Sequence, residues 1–413
     1  MNLSLRRALG FTTEVPPEHR KNFAHLYWDV AFWGLLNGSV VNFLGVYCSR
    51  IGATPLQMGL LIAIPALMNL IVTLPATIWL RNLPSTRVVP ITALITRLFY
   101  GLLIPLPMLL PPETRIWVIL GIVLFQNITG AIAATIGNAF LAETVPVEWR
   151  GQVVGNRNAL IAITTMVTSL VVGQVLNNMS FAAGYQVIFA LGFAGSMASA
   201  YHLFQVKPVL LPPAIPTLDG EIAPAPAAGA RMEILRGPFR KLLVMMFLLN
   251  IAIFMLSPIF PLYQVNVLHL TDQTISLAAA LFGLVQFIVS TQGGAISRRL
   301  GFRQMTGLGM TIASFSTMLF TFSFNPLIYF STQIVGGTGW SIYGGGAVNY
   351  LLENVPAHDR SAHLAWFNLT INAAVLMCGL FAASLVGVLG LFGVMLLGIG
   401  VRFLVGLAVM KYG

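Results

Sequence analysis

Apolar runs of about twenty residues, separated by short polar turns, recur from one end of this chain to the other. A helix that crosses a membrane needs about 20 predominantly apolar residues. By that measure, runs near 24–48, 55–80, 88–110, 115–142, 152–177 and 182–205 make a first set of six. Runs near 240–268, 273–297, 304–324, 326–352, 362–388 and 390–411 make a second. Turn-forming clusters such as Gly52-Ala53-Thr54-Pro55, Leu110-Pro111-Pro112 and Phe324-Asn325-Pro326 punctuate them. Between the sets, 206–238 changes character: Pro208, Pro212, Pro213, Pro216, Pro224 and Pro226 alternate with alanine and a few acids. Such a stretch cannot bury apolar surface and reads as a flexible linker. The pattern therefore predicts an all-α polytopic membrane protein of twelve transmembrane helices in two pseudo-symmetric six-helix bundles. Its parts are an N-terminal segment 1–22, a bundle 23–205, the linker 206–238 and a second bundle 239–413.

Composition supports lipid as the main solvent. Hydrophobic residues make up 57% and charged residues only 8%, against about a quarter charged in soluble domains. The net charge of +10 does not point to nucleic acid, because the basic residues sit in short clusters between apolar runs and not on one water-facing domain. Seventeen of the 22 lysines and arginines fall on the side of the N-terminus, the linker and Lys411, and only Arg50 and Arg115 on the other. Arg97, Arg157 and Arg402 lie inside spans. The positive-inside rule then places both termini in the cytoplasm, with the chain in the plasma membrane. Residues 1–22 lack an apolar core followed by a small-residue cleavage site, so no removable signal peptide is expected. Cys48 and Cys378 read as packing residues, with no disulfide framework or metal-ligand spacing.

One loop is written twice, 210 positions apart. Glu143-Thr144-Val145-Pro146-Val147-Glu148-Trp149-Arg150 is echoed by Glu353-Asn354-Val355-Pro356-Ala357-His358-Asp359-Arg360, and the same shift superposes Leu141 on Leu351 and Asn158 on Asn368. An internal duplication in so apolar a chain marks a two-halved transporter with substrate bound between the halves. The layout and the Glu-x-x-Pro-x-x-x-Arg loop after helices four and ten resemble the major facilitator superfamily. A second motif of that family is recognisable at Gly294-Ala295-Ile296-Ser297-Arg298-Arg299-Leu300-Gly301-Phe302-Arg303, with Arg298 where the family often has Asp. Its first copy, Trp79 to Arg87, keeps positive charge but loses the Gly and Asp. The resemblance implies alternation between inward- and outward-open states, with helices one, four, seven and ten lining a central cavity.

Charge inside the spans is the chemistry to explain. Asp29 is the one acid well inside a span and shares a helix face with His25. An ionised carboxylate at that depth is expensive, so three roles compete: proton carrier, substrate contact, or partner of an intramembrane arginine. The candidate arginine partners are Arg97 and Arg157, and Arg97 is the economical one. Arg157 either serves a substrate or coupling site or extends to the interface, and Arg402 is expected to extend there too. In the repeated loops, Glu143, Arg150, Glu353 and Arg360, with Arg298 and Arg299, form a candidate cytoplasmic gate of state-dependent ion pairs, the alternative being a static staple. Candidate cavity residues are Asn37 on helix one, Gln126 and Asn127 on helix four, Asn250 and Ser257 on helix seven, and Trp340 and Tyr343 on glycine-rich helix ten. Few cavity charges suit a neutral, amphiphilic or singly charged organic solute.

The expected activity is secondary transport of small organic solutes, with efflux favoured over uptake. It is proton-driven through Asp29 in one reading and passive, with Asp29 structural, in the other. A membrane enzyme or sensor is the rival from another class. The six histidines are scattered without catalytic clustering and no P-loop is present. No cofactor is expected. The expected partners are a small-molecule substrate, lipid and, in the first reading, protons, with the monomer as the working unit.

Overall fold

Proline and cap residues start most of the helices. In the computed structural model, Thr54 caps the second rod: its hydroxyl accepts from the Gln57 backbone N–H at 3.3 Å, and Gln57 Oε1 accepts from Thr54 N–H at 2.8 Å. Pro55, Pro112 and Pro326 occupy first-turn positions, where a missing N–H costs nothing. The described residues are 16–80, 83–209, 232–237, 239–356 and 360–413.

Among the described residues, twelve helical rods follow in order. The first six are α1 (17–50, with a π-helical turn at Asn37–Val41), α2 (Pro55–Trp79), α3 (Ser85–Leu109), α4 (Pro112–Thr144), α5 (Val147–Asn178) and α6 (Phe181–Gln205). The second six are α7 (Phe239–Asn266), α8 (Asp272–Ser290), α9 (Gly293–Thr321), α10 (Pro326–Glu353), α11 (360–389) and α12 (391–412). Two glycines with positive φ set breaks: Gly390 at φ 67° separates α11 from α12, and Gly301 at φ 74° bends α9. The run expected at 273–297 ends earlier, at Ser290, in a turn at Thr291-Gln292, and the basic motif at 294–299 rides on the first piece of α9. Of the linker, residues 210–231 and 238 lie outside the described residues.

The two halves pack alike. Within the first, α2 and α3 flank α4; within the second, α8 and α9 flank α10. Between halves the second rod of each meets the fifth of the other, α2 on α11 and α5 on α8, while α1 touches α7. Small residues permit these crossings: a Cβ on Gly59 would stand 2.1 Å from the Gly379 carbonyl, and one on Gly173 2.3 Å from Ser276 Oγ. Large apolar side chains such as Trp79, Leu327, Val388 and Leu404 point outward, as a lipid-solvated surface requires.

The core is distributed unevenly along the rods. At the end where α1 finishes and α2 begins (the far side), one apolar cluster runs through both halves and includes Tyr47, Tyr185, Leu256, Tyr263, Ile275 and Tyr329. At the other end, where the linker departs, the clusters are separate: Phe23, Leu26, Phe140 and Leu203 in one half, Phe239, Met246, Tyr350 and Val409 in the other. The halves are joined at the far side and parted at the linker side.

Candidate functional site

A cavity of about 1130 Å³ fills the gap between the halves. Its floor is buried and consists of Val46, Ser169, Ile275 and Tyr329. Toward the linker side its wall is exposed at Gly155, Asn158, Phe287, Ser290 and Thr291. Exposed wall residues are thus concentrated toward that end. Asn37, Ser257 and Trp340 line it, as do Gln264, Gln286 and Gln333. Asn37 stands where α1 takes a π turn, with the Asn42 N–H bonded to the Asn37 carbonyl five residues back. Such turns re-aim side chains at functional positions.

Four expected cavity residues are placed elsewhere. Asn127 turns its amide onto the Val123 carbonyl at 2.8 Å, and Asn250 onto the Met246 carbonyl at 2.7 Å, each one turn back on its own helix. Gln126 is buried and is not among the described residues that line the cavity; beside it, Thr129 bonds Thr96 of α3 at 2.8 Å. Tyr343 packs tilted against Trp340, ring centroids 5.6 Å apart, and is not among the described residues that line the cavity. Helix α4, expected to line the cavity, contributes no described residue to it, its place being taken by α5 and α8, while α7 and α10 each present only one face to the gap.

The far side is closed by contacts sequence reading did not identify. Arg50, at the end of α1, donates from Nη2 to Asp272 Oδ1 at 2.9 Å and from Nε at 3.1 Å, and also to the Leu270 carbonyl. Tyr185 of α6 donates to Asp272 Oδ2 at 3.2 Å, and its ring packs 4.6 Å from that of Tyr47. Arg115 in turn donates to Tyr47 Oη at 3.0 Å. Asp272 also begins α8, where the helix dipole favours a negative charge. Next to this network, Ser276 donates to the Ser169 carbonyl, joining α8 to α5. Arg50 and Asp272 lie 222 positions apart at the ends of unrelated runs, so no local pattern announces the pair.

At the linker side the repeated loop behaves differently. Arg150 donates to the Val145 carbonyl at 3.1 Å and the Ala142 carbonyl at 2.9 Å, capping the C-terminal end of α4 that Pro146 leaves open. The Glu143 carbonyl accepts from Val209 N–H at 2.8 Å. Glu353, Arg298 and Arg299 are exposed, and among the described residues no ion pair joins them or Glu143. The Arg360 side chain lies outside the described residues.

Inside the first half, Asp29 is buried and bonded three times. Arg97 Nη2 lies 3.3 Å from Oδ1, Arg157 Nη2 3.3 Å from Oδ2, and Ser199 Oγ donates to Oδ1 at 2.6 Å. Arg157 therefore does not run to the interface. It turns inward because α5 lies close on α1, where Gly34 and Gly38 face Thr164, Thr165 and Thr168. His25 pairs with His202 of α6 through their Nδ1 atoms, 2.9 Å apart.

Arg402 is the clearest departure from expectation. It is buried, with only 8% of its surface exposed, and does not extend to the interface. Pro258 has no N–H, so α7 breaks after Phe254 and the Ser257 N–H turns to the Phe254 carbonyl. That leaves the carbonyls of Ala252 and Ile253, which accept from Arg402 Nε at 2.9 Å and Nη2 at 3.1 Å, while Nη1 donates to Thr317 Oγ1 at 2.5 Å. A broken helix at membrane depth needs such a donor.

A family model described as Major Facilitator Superfamily matches residues 30–374 and again 242–412. Quinolone resistance protein NorA of Staphylococcus aureus is 24% identical over 131 residues, which is 32% of this chain and 34% of that protein. The matched stretch thus spans about a third of its curated relative. Among solved structures, the nucleoside transporter NupG superposes with a TM-score of 0.67 at 15% identity, covering 95% of this chain and 99% of that one. A D-xylose-proton symporter gives 0.69 at 15% identity, covering 95% and 97%. At these identities the likeness is one of fold.

Proposed function

Because this chain belongs to the major facilitator superfamily, we propose that it is a secondary transporter of small organic solutes working by alternating access, here facing the cytoplasm. The observation that carries this is the single-ended cavity: closed at the far side by contacts that cross between the halves, open at the linker side. The charge asymmetry of the loops makes the linker side cytoplasmic, with twelve crossings and both termini inside. Family and architecture favour a transporter over an enzyme. A cavity wall of amides, hydroxyls and aromatic rings suits a solute of modest polarity.

In this reading Arg50–Asp272 is the far-side latch. The pair is partly buried, with side chains 23% and 15% exposed, so it holds one state without making it permanent. When the far side opens, the linker side closes and the two repeated loops approach. Glu143 and Glu353 then face arginines of the opposite half. A carboxylate that accepts from two guanidinium groups and a hydroxyl is well satisfied as a charge. That favours a structural Asp29 over a proton carrier, and a facilitator over a proton-driven pump.

The test needs no knowledge of the solute. With Cys48 and Cys378 replaced by serine, Thr165→Cys places a reporter on the cavity wall. A membrane-impermeant maleimide is expected to label it quickly in inside-out vesicles and slowly in right-side-out ones. Asp272→Asn should speed right-side-out labelling about five-fold, the equivalent of ~1 kcal/mol for a pair of this exposure. Equal rates from both sides in the parent protein, unmoved by Asp272→Asn, would refute the proposal.

A further inference from the structure

The transport reading leaves one cation unexplained. Resting on that reading, we infer that a second pocket, between α1, α3, α4 and α5, is the site that receives the anionic group of the transported solute, a monoanion such as a carboxylate.

The charge count comes first. The pocket measures about 450 Å³ and is lined by Asp29, Arg97 and Arg157, with no second acid among its lining residues. Two guanidinium groups against one carboxylate leave a single positive charge in excess. Arginine does not lose its proton in proteins, so that charge is permanent.

Hydrogen bonding locates the excess on Arg97. The residue is only 4% exposed, and its Nε and Nη1 are buried without a hydrogen-bond partner. The Trp33 ring, 5.2 Å from Cζ, meets the charge but offers no lone pair to those N–H groups. Arg402 makes the contrast: all three of its nitrogens donate to protein oxygens, so it serves as a helix cap and needs no ligand. Buried N–H groups left unsatisfied are costly. Each of these N–H groups can give a carboxylate oxygen a charge-assisted bond.

Room and access complete the case. On the wall opposite, α4 presents Gly130, Ala133, Ala134 and Gly137, and a Cβ on Gly137 would meet nothing within 4 Å. Asn158 and Ile161 line both this pocket and the central cavity. Arg157, with its side chain 24% exposed, stands on the same helix as both. A solute whose apolar body lies in the large cavity can thus turn its anionic end past Asn158 onto Arg97.

The experiment uses detergent-purified full-length protein and its unfolding temperature. Benzoate and butyrate are the probes, benzamide and butyramide their neutral counterparts, and sodium chloride a separate arm. At least one carboxylate is expected to raise Tm by about 3 °C while both amides and chloride do not. Arg97→Gln leaves Asp29 and Arg157 as a neutral pair and should abolish the shift. Arg97→Lys should keep part of it, and Lys411→Gln, far from the pocket, all of it. Should Arg97→Gln fail to fold, Arg157→Gln is expected to weaken carboxylate binding at least ten-fold. A shift from chloride alone overturns the assignment to a solute. No shift with either carboxylate, or one that survives both arginine variants, overturns the site itself. The reporter-cysteine test above uses no solute, so the transport reading stands or falls separately.

Discussion

At the scale of single residues, three buried polar groups decide how this chain tolerates the membrane. Arg402 holds two carbonyls that the break in α7 exposes. Arg402→Met should leave both unpaired and lower stability by about 2–4 kcal/mol, read as a fall in Tm of the purified protein; an unchanged Tm would show that α7 repairs itself. Ser199 makes the shortest bond to Asp29, at 2.6 Å, and Ser199→Ala should cost about 1.5–3 kcal/mol, as for hydrogen bonds to charged groups. Sequence spacing brought Asp29 and Arg97 into the same argument because few charges lie so deep. It offered Arg157 as a further candidate but favoured its extending to the interface, since its turning inward depends on two glycines of α1 letting α5 approach. Nor did it foresee Arg402: Pro258 was visible, but the position of a cation 144 residues later against the resulting gap was not.

At the scale of helices, apolar run length and turn chemistry made nearly every rod legible, and the errors lie at their ends. Helix α8 stops at Ser290 and not near 297, because the basic residues that follow belong to a separate piece ending at Gly301. The faces of the rods were harder to read. Polar residues on α4 and α7 looked like cavity wall, yet Asn127 and Asn250 satisfy themselves on their own backbones. The seams between halves depend on small residues, which sequence shows only as a scatter of glycine. Gly59 faces the Gly379 backbone at a distance no Cβ can occupy. Gly59→Val should therefore prise α2 from α11 at the far side, speeding maleimide labelling of Thr165→Cys in right-side-out vesicles. If labelling stays slow while Tm is unchanged, the seam is looser than described.

At the scale of the whole molecule, duplication is the organising fact. Each half repeats the other's packing, and the halves touch through equivalent pairs, α2 on α11 and α5 on α8. Two similar bodies meeting along one seam can tilt to open either end, because each end needs only its own small set of contacts. At the far side these are Arg50–Asp272, Tyr185–Asp272 and Ser276–Ser169. At the linker side the repeated loops are the candidates, and Glu143→Gln with Glu353→Gln should slow closure of that end. The repeat was plain in the sequence; which end is shut was not, since both loop sets carry complementary charge. Spin labels at Asn178 and Thr271 report the far side, and labels at Glu148 and Thr291 the linker side. Distances measured by double electron–electron resonance should shift in opposite senses when Asp272→Asn is introduced, the far pair lengthening as the linker pair shortens. One fixed distance at each end, indifferent to Asp272→Asn, would contradict alternating access in this protein.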